Sequence, residues 1–251
     1  MSSPETMEAI RKGDEDIKNA PMEFETINAL GPKVAGLKYR VQVSPDNCVG
    51  CSLCAVECPG KKGQKALEMV DVKEQLFEAP LADYLYKEVP YKTEYFDTDC
   101  IKGSQFAMPY FEVSGACPGC GETPYYKLVT QLFGKDMMVA NATGCSMIYS
   151  SSTPSSPFVT DKNGSGVAWA NSLFEDNAEF GYGMALAQNF KEARILTIME
   201  ENKDKVEPAL KEAFESYLAI NNDREEQRKL APVIVEGGEN SSCEAVKELL
   251  E

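Results

Sequence analysis

Seven of the nine cysteines fall into two groups, and their spacing constrains the fold more than any other feature of the chain. The first group is Cys48-x2-Cys51-x2-Cys54-x3-Cys58-Pro59, four thiols within eleven residues. Thiolates three residues apart can grip adjacent corners of one cubane, and this run followed by proline is a [4Fe–4S] ligand pattern. Pro59 ends the turn and directs Cys58 away, and in two-cluster proteins the fourth cysteine serves the neighbouring cluster. A zinc knuckle is the alternative, but zinc sites usually draw paired cysteines from separate loops. The second group is Cys117-x2-Cys120, joined at a distance by Cys145 in a Gly-Cys turn. By spacing alone it serves a zinc ribbon, with Cys100 as the fourth ligand, as well as an iron–sulfur site.

Composition excludes several classes of function. The 251 residues carry a net charge of −15, with 43% apolar residues, so there is enough material for real cores. The acidic balance argues against nucleic acid or an acidic membrane surface as partner. The polar start Met1 to Asp16 has no apolar h-region, and no stretch approaches the length of a transmembrane helix. Many thiols and no secretion signal point to a reducing compartment. Histidine is absent altogether. A His general base, a Cys–His or Ser–His nucleophile and His-containing zinc sites are therefore excluded, and a cofactor must supply the reactive group.

The pattern along the chain implies a mixed α+β / α/β architecture. Residues 1–36 are polar, with a weak helical pattern and a Gly31-Pro32 break. Leu37 to Val43 alternates with period two, as a half-buried strand does, and Ala66 to Val70 reads as a second strand. Strand, cysteine loop, short helix and strand make half of a bacterial ferredoxin-like domain. Residues 71–112 read as an aromatic-rich connector that packs one domain on another. Thr123-Pro124 reads as an N-cap and first helical residue, Gly134 as the helix stop, and Met137–Ala140 as a short buried strand. Ser146–Ser172 is dense in Ser, Thr, Gly, Pro and Asn. Helices are expected over 183–201 and 205–220, with an amphipathic segment over 244–251.

The text around the second cysteine group resembles a known family. Ser114-Gly-Ala-Cys117-Pro-Gly-Cys120-Gly-Glu-Thr-Pro, Ala140-Asn-Ala-Thr-Gly-Cys145-Ser and the run from Ala168 to Met184 look like pyruvate:ferredoxin (flavodoxin) oxidoreductase of the single-chain type. The resemblance covers roughly residues 37–220. It implies a segment of ferredoxin-like domain (37–98, preceded by 1–36) followed by the N-terminal part of a thiamine-pyrophosphate domain (99–251). Cys48, Cys51 and Cys54 would hold most of one ferredoxin-type cluster, and Cys58 would contribute to its neighbour. Cys117, Cys120 and Cys145 would be three ligands of a cluster beside the thiamine. Glu122 and Cys145 would line the thiamine pocket, and the Ser/Thr/Gly-rich stretch would be ordered wall rather than linker. The resemblance singles out no catalytic residue in this stretch.

The activity implied is oxidative decarboxylation of pyruvate on thiamine pyrophosphate with Mg2+. The acetyl group passes to coenzyme A, and electrons pass through [4Fe–4S] clusters to ferredoxin or flavodoxin. The family implies a homodimer for the full-length enzyme, in the cytoplasm or a hydrogenosome-type organelle. The first cysteine run of the pair, the Gly-Asp-Gly segment for magnesium and diphosphate, and the fourth ligand of the thiamine-side cluster are all missing from this stretch. The chain is therefore expected to act with the remainder of the same polypeptide and to be inactive alone. Cys100 and Cys243 match no ligand position. Two other readings compete: a stand-alone iron–sulfur electron-transfer module, and a zinc-stabilised interaction protein.

Overall fold

A computed structural model describes residues 5–7, 17–21, 24–34, 36–151, 156–220 and 223–247. The chain forms two compact units, residues 1–177 and 178–251. The first unit combines helices with two small sheets, an α+β arrangement.

The first sheet has three antiparallel strands, β1 (Glu5–Met7), β2 (Ile27–Asn28) and β3 (Lys38–Gln42), with β3 in the centre. Glu5 lies opposite Gln42, and Ile27 opposite Tyr39. Gly31 adopts φ +138° ahead of the turn at Pro32–Val34, so the expected break is present. The period-two strand is present too, but inverted. Val41 and Val43 are 45% and 41% exposed, whereas Gln42 is buried. The polar face turns inward because Glu78 receives it: Arg40 Nη2 lies 2.7 Å and Gln42 Nε2 2.8 Å from the Glu78 carboxylate. A buried polar face is tolerated when its groups pair with one another.

The first cysteine loop contains the short α1 (Leu53–Glu57), but the second expected strand after it does not form. Ala66–Val70 is irregular and largely exposed, and the pairing nearest to it among the described residues is an isolated bridge between Lys61 and Gln64. With no strand alongside among the described residues, its alternating pattern has nothing to pack on. The segment read as a connector is instead half of a core. Within it, α2 (Ala79–Lys87) buries Leu81, Ala82 and Leu85. Leu81, Leu85 and Val89 pack with Phe24, Val34 and Leu37, and Tyr84, Tyr86, Tyr91, Tyr95 and Phe96 close around them. The aromatics therefore build this core locally.

Next come α3 (Ile101–Ser104) and α4 (Thr123–Phe133). The N-cap of α4 is Glu122 rather than Thr123, and Pro124 sits one position inside the expected place. Gly134 does follow α4, but in right-handed conformation, leading into a 3-10 turn. Glycine is required there for space, because a Cβ would lie 2.2 Å from the Tyr110 ring. The second sheet pairs β4 (Met138–Asn141) in parallel with β5 (Ala168–Asn171). The Ser-rich crossover between them is ordered where described. It carries α5 (Cys145–Ser151), a bridge from Phe158 to Phe111 and a loop closed by Asp161, whose carboxylate accepts from the Asn163 and Ser165 amides at 2.9 Å.

The second unit is helical. α6 (Asn177–Asn202) begins six residues before the expected start and buries Met199 and Asn202 near its end. α7 (Pro208–Ala219), α8 (Arg224–Asn240) and α9 (Glu244–Lys247) complete it. Leu210, Ala213, Phe214, Ile234 and Val246 join Met199 in its core. The end of the expected C-terminal segment, residues 248–251, lies outside the described residues. Among the described residues no helix is long and apolar enough to cross a membrane.

Candidate iron–sulfur and cofactor site

All nine cysteines are free thiols. In the first group, Cys48 closes the 3-10 turn Pro45–Asn47, Cys51 precedes α1, Cys54 lies on it and Cys58 caps it. The loop curls tightly because Gly50, Ser52 and Gly60 take φ of +65°, +64° and +58°. The Ala66 amide donates to Cys58 Sγ at 3.3 Å. This bond, helped by further amides from Gly60 and Leu67 and by the Lys65 charge, holds the Cys58 thiol below its ordinary pKa against the opposing effect of burial. Lys65 Nζ also donates to the Ala55 carbonyl at 2.7 Å and to that of Val56, tying the turn to the C-terminal end of α1.

In the second group, Cys117 and Cys120 flank a turn closed by Cys120 N–H to Cys117 O at 3.0 Å, with Gly119 at φ +75°. The amides of Glu122 and Thr123, at the start of α4, face the Cys120 sulfur and hold its pKa below the ordinary thiol value. Unpaired amides at a helix N-terminus favour a thiolate. Cys145 opens α5. Among the described residues no three His, Cys, Asp or Glu side chains converge on one point. The two groups do adjoin. A Cβ on Gly119 would meet Leu53 Cδ1 of α1 at 3.0 Å, and Val49, Cys51, Ala116, Cys117, Gly119 and Thr123 share the wall of one cleft.

Behind the second group the carboxyl ends of β4 and β5 lie side by side, Asn141 opposite Asn171. The loops that follow are laced together: Ser172 N–H donates to Asn141 O at 2.9 Å and Thr143 Oγ1 to Leu173 O at 2.7 Å. Thr123 Oγ1, Tyr126 OH, Asn171 Oδ1 and Asp176 Oδ1 are buried without a hydrogen-bond partner. Such groups call for a ligand or water, and the carboxyl end of parallel strands is where α/β sheets take ligands. Tyr149 stands against Glu122, and burial together with that carboxylate pushes its pKa up to about 12.

Seven free thiols without histidine, curled loops and amides aimed at sulfur suit iron–sulfur clusters in donor chemistry, and the orphaned polar atoms suit a polar cofactor beside them. Cys100 does not join either group; it caps α3, its sulfur accepting from Gly103 N–H at 3.3 Å. Cys243 lies in the second unit, half-buried near Asn202. Tyr126 and Tyr149 were not apparent as site residues. The available signal was Tyr149's place one helical turn after Cys145, which needs the start of α5 to be known.

The lowered pKa values set a pH-dependent expectation for the metal-free chain. Alkylation of Cys58 and Cys120 by iodoacetamide should follow inflections below that of a model-peptide thiol, because the thiolate is the reactive form. Peptide-resolved mass spectrometry over a pH series checks this, and inflections at or above the model thiol would contradict it.

No family model matches the chain. Its curated relatives are pyruvate oxidoreductases. It is 45% identical over 240 residues to the pyruvate:ferredoxin oxidoreductase of Moorella thermoacetica, a match covering 94% of this chain and 20% of that protein. It is 52% identical over 173 residues to the pyruvate-flavodoxin oxidoreductase of Enterobacter agglomerans, covering 69% of this chain and 14% of that protein. To the mitochondrial pyruvate dehydrogenase [NADP(+)] of Euglena gracilis it is 44% identical over 185 residues, covering 72% and 10%. The chain thus spans a fifth or less of the length of these relatives. By sequence it is homologous to one stretch of the pyruvate:ferredoxin (flavodoxin) oxidoreductases, at 44–52% identity.

Proposed function

We propose that the chain supplies the electron-transfer stretch of a pyruvate oxidoreductase, with a thiamine-side thiol group and a ferredoxin-type thiol group placed next to each other. The observation that carries this reading is the contact of Gly119, in the Cys117–Cys120 turn, with Leu53 of α1, in the Cys48–Cys58 loop. Cys48, Cys51 and Cys54 would hold most of one [4Fe–4S] cluster, with Cys58 serving a neighbour, and Cys117, Cys120 and Cys145 would be three ligands of another. Glu122 and Cys145 would face thiamine pyrophosphate and its Mg2+ at the carboxyl ends of β4 and β5. The ferredoxin-like and thiamine-binding portions would meet near residues 98–99, inside the first unit.

Bound thiamine pyrophosphate would supply the electron sink for decarboxylating a 2-oxoacid, and the clusters would supply one-electron steps. The chain's own contribution is positioning. The amides of Ala66, Glu122 and Thr123 stabilise thiolate charge at Cys58 and Cys120. The buried polar atoms of Thr123, Asn171 and Asp176 offer fixed hydrogen-bonding groups to a ligand that takes the place of water. Pyruvate and coenzyme A as substrates, ferredoxin or flavodoxin as acceptor, a homodimeric assembly and a cytoplasmic or hydrogenosome-type location belong to the same proposal for the longer polypeptide. The 251 residues alone are expected to reduce no dye with pyruvate.

Anaerobic reconstitution with iron and sulfide tests the reading. Iron and acid-labile sulfide are expected to bind in nearly equal amounts, and Cys51→Ser and Cys117→Ser should each remove a separate share of both. Tight zinc uptake with no sulfide would overturn the reading in favour of a zinc-stabilised interaction protein.

A further inference from the structure

We propose that the lysine hairpin beside Cys58, with Lys61 and Lys62 in its turn, is the docking surface for an acidic electron-carrier protein. The inference rests on the Cys48–Cys58 loop being a cluster-bearing loop, and it adds the place where electrons leave that loop.

The chain carries 40 acidic and 25 basic residues. A protein of that balance repels an acidic partner unless a local patch reverses the sign. Residues 58–67 form such a patch. They hold Lys61, Lys62 and Lys65 and no acidic residue, with Glu57 and Glu68 at either end. All three lysines are exposed. Among the described residues neither the Lys61 nor the Lys62 ammonium makes a hydrogen bond or ion pair, so both charges are open to a partner.

The hairpin is a rigid mount. Lys61 N–H donates to Gln64 O at 2.9 Å and Gln64 N–H to Lys61 O at 3.1 Å, closing a two-residue turn. Its central residues, Lys62 and Gly63, take φ of +54° and +81°, positive at both places as in a type I′ turn. Such turns favour Asn, Asp or Gly at the first central place, and few other residues adopt that backbone. The turn does not explain a lysine there, whereas a use for its charge does. At the base of the hairpin a Cβ on Gly60 would lie 1.9 Å from Gln64 O, so its two arms touch.

The mount is tied to the thiol loop at two points. Lys65 Nζ donates to the Ala55 carbonyl of α1 at 2.7 Å, and the Ala66 N–H donates to Cys58 Sγ at 3.3 Å. The positive patch therefore sits one hydrogen bond from a sulfur of the loop. Val49 and Val56, on the same loop, are 62% and 60% exposed and offer apolar contact beside the charged rim. Electron-transfer encounters bury little area, so charge has to orient them more than packing does. A carrier docked here takes one electron from the reduced cluster and leaves it oxidised, and no bond is made or broken.

Binding of a ferredoxin of net negative charge to the reconstituted 251-residue chain, measured by calorimetry over a salt series, tests the proposal. Affinity is expected to fall steeply as salt rises. Lys61→Gln combined with Lys62→Asn suits the turn but removes both charges. It is expected to weaken binding about tenfold at low salt and to flatten the salt dependence. Lys62→Arg should bind like the unaltered chain. Lys191→Gln combined with Lys229→Gln, which removes two charges from the helical unit, should change affinity less than about twofold. Carbodiimide crosslinks, read by peptide mass spectrometry, should join Lys61 or Lys62 to carboxylates of the ferredoxin. Unchanged affinity in the Lys61/Lys62 variant, an equal loss in the Lys191/Lys229 variant, salt-independent binding, crosslinks confined to other lysines, or no binding would each overturn the proposal. Iron and sulfide are counted in the same samples. A chain without sulfide would overturn the cluster reading, while its binding of the ferredoxin would still decide the docking surface, because the hairpin is held by the chain's own hydrogen bonds.

Discussion

Replacing Phe111 by alanine is expected to destabilise the first unit by about 3–5 kcal/mol, the usual cost of emptying a buried aromatic site. Phe111 is 1% exposed and is the hub of the aromatic cluster: Tyr126, Phe158 and Tyr149 surround it at 4.8, 5.7 and 6.1 Å. Its backbone bridges to Phe158, so it also holds the Ser-rich crossover against α4. The loss is large relative to the about 5–15 kcal/mol that holds an ordinary domain together. Trp169 is the only tryptophan, belongs to this unit and stacks on Phe158 at 5.5 Å. Its fluorescence in a urea titration reads this unit alone. A midpoint shift equivalent to less than about 1 kcal/mol would show that the cage collapses around the gap instead of losing its packing.

Arg40→Ala is the second large effect, expected to cost about 3 kcal/mol. The guanidinium makes a 2.7 Å ion pair with Glu78, bonds to Gln42 Oε1 at 2.5 Å and the Glu25 carbonyl at 2.9 Å, and lies 4.8 Å from the centre of the Phe24 ring. Its side chain is 10% exposed and that of Glu78 26%. Removing one partner leaves the other charge half-buried with only Gln42 to answer it, and that penalty dominates the cost. Arg40→Lys should recover less than half, because an ammonium cannot make the forked contacts. The same urea titration measures both variants. Equal stability of Arg40→Ala and the unaltered chain would mean that the polar face of β3 is hydrated rather than packed.

Motif chemistry was legible in the sequence where it is local. Cysteine spacing located the curled loops, whereas α5, which starts at Cys145, lay hidden in a stretch whose Ser, Thr, Gly and Pro content reads as loop. Apolar periodicity found α4 and α7 because each buries one side along part of its length. The inward face of β3 was not legible, since alternation fixes only that two faces differ. Which face is buried depended on Glu78, nearly forty residues away, and charged residues normally read as outward. Ala66–Val70 failed for the opposite reason: a strand pattern needs a neighbouring strand, and among the described residues none lies beside it. The aromatic segment of 71–112 lacked a period because its rings close around one another from turns and a short helix. The adjacency of the two thiol groups likewise depends on Gly119 meeting Leu53, which no spacing encodes.

The central claim is that these two adjacent thiol groups hold separate iron–sulfur clusters. EPR of the reconstituted 251-residue chain during a stepwise anaerobic reduction tests it most directly. Two signals with distinct potentials are expected, one disappearing in Cys51→Ser and the other in Cys117→Ser. A single signal lost in both variants, or none in a chain that instead retains zinc, would contradict it.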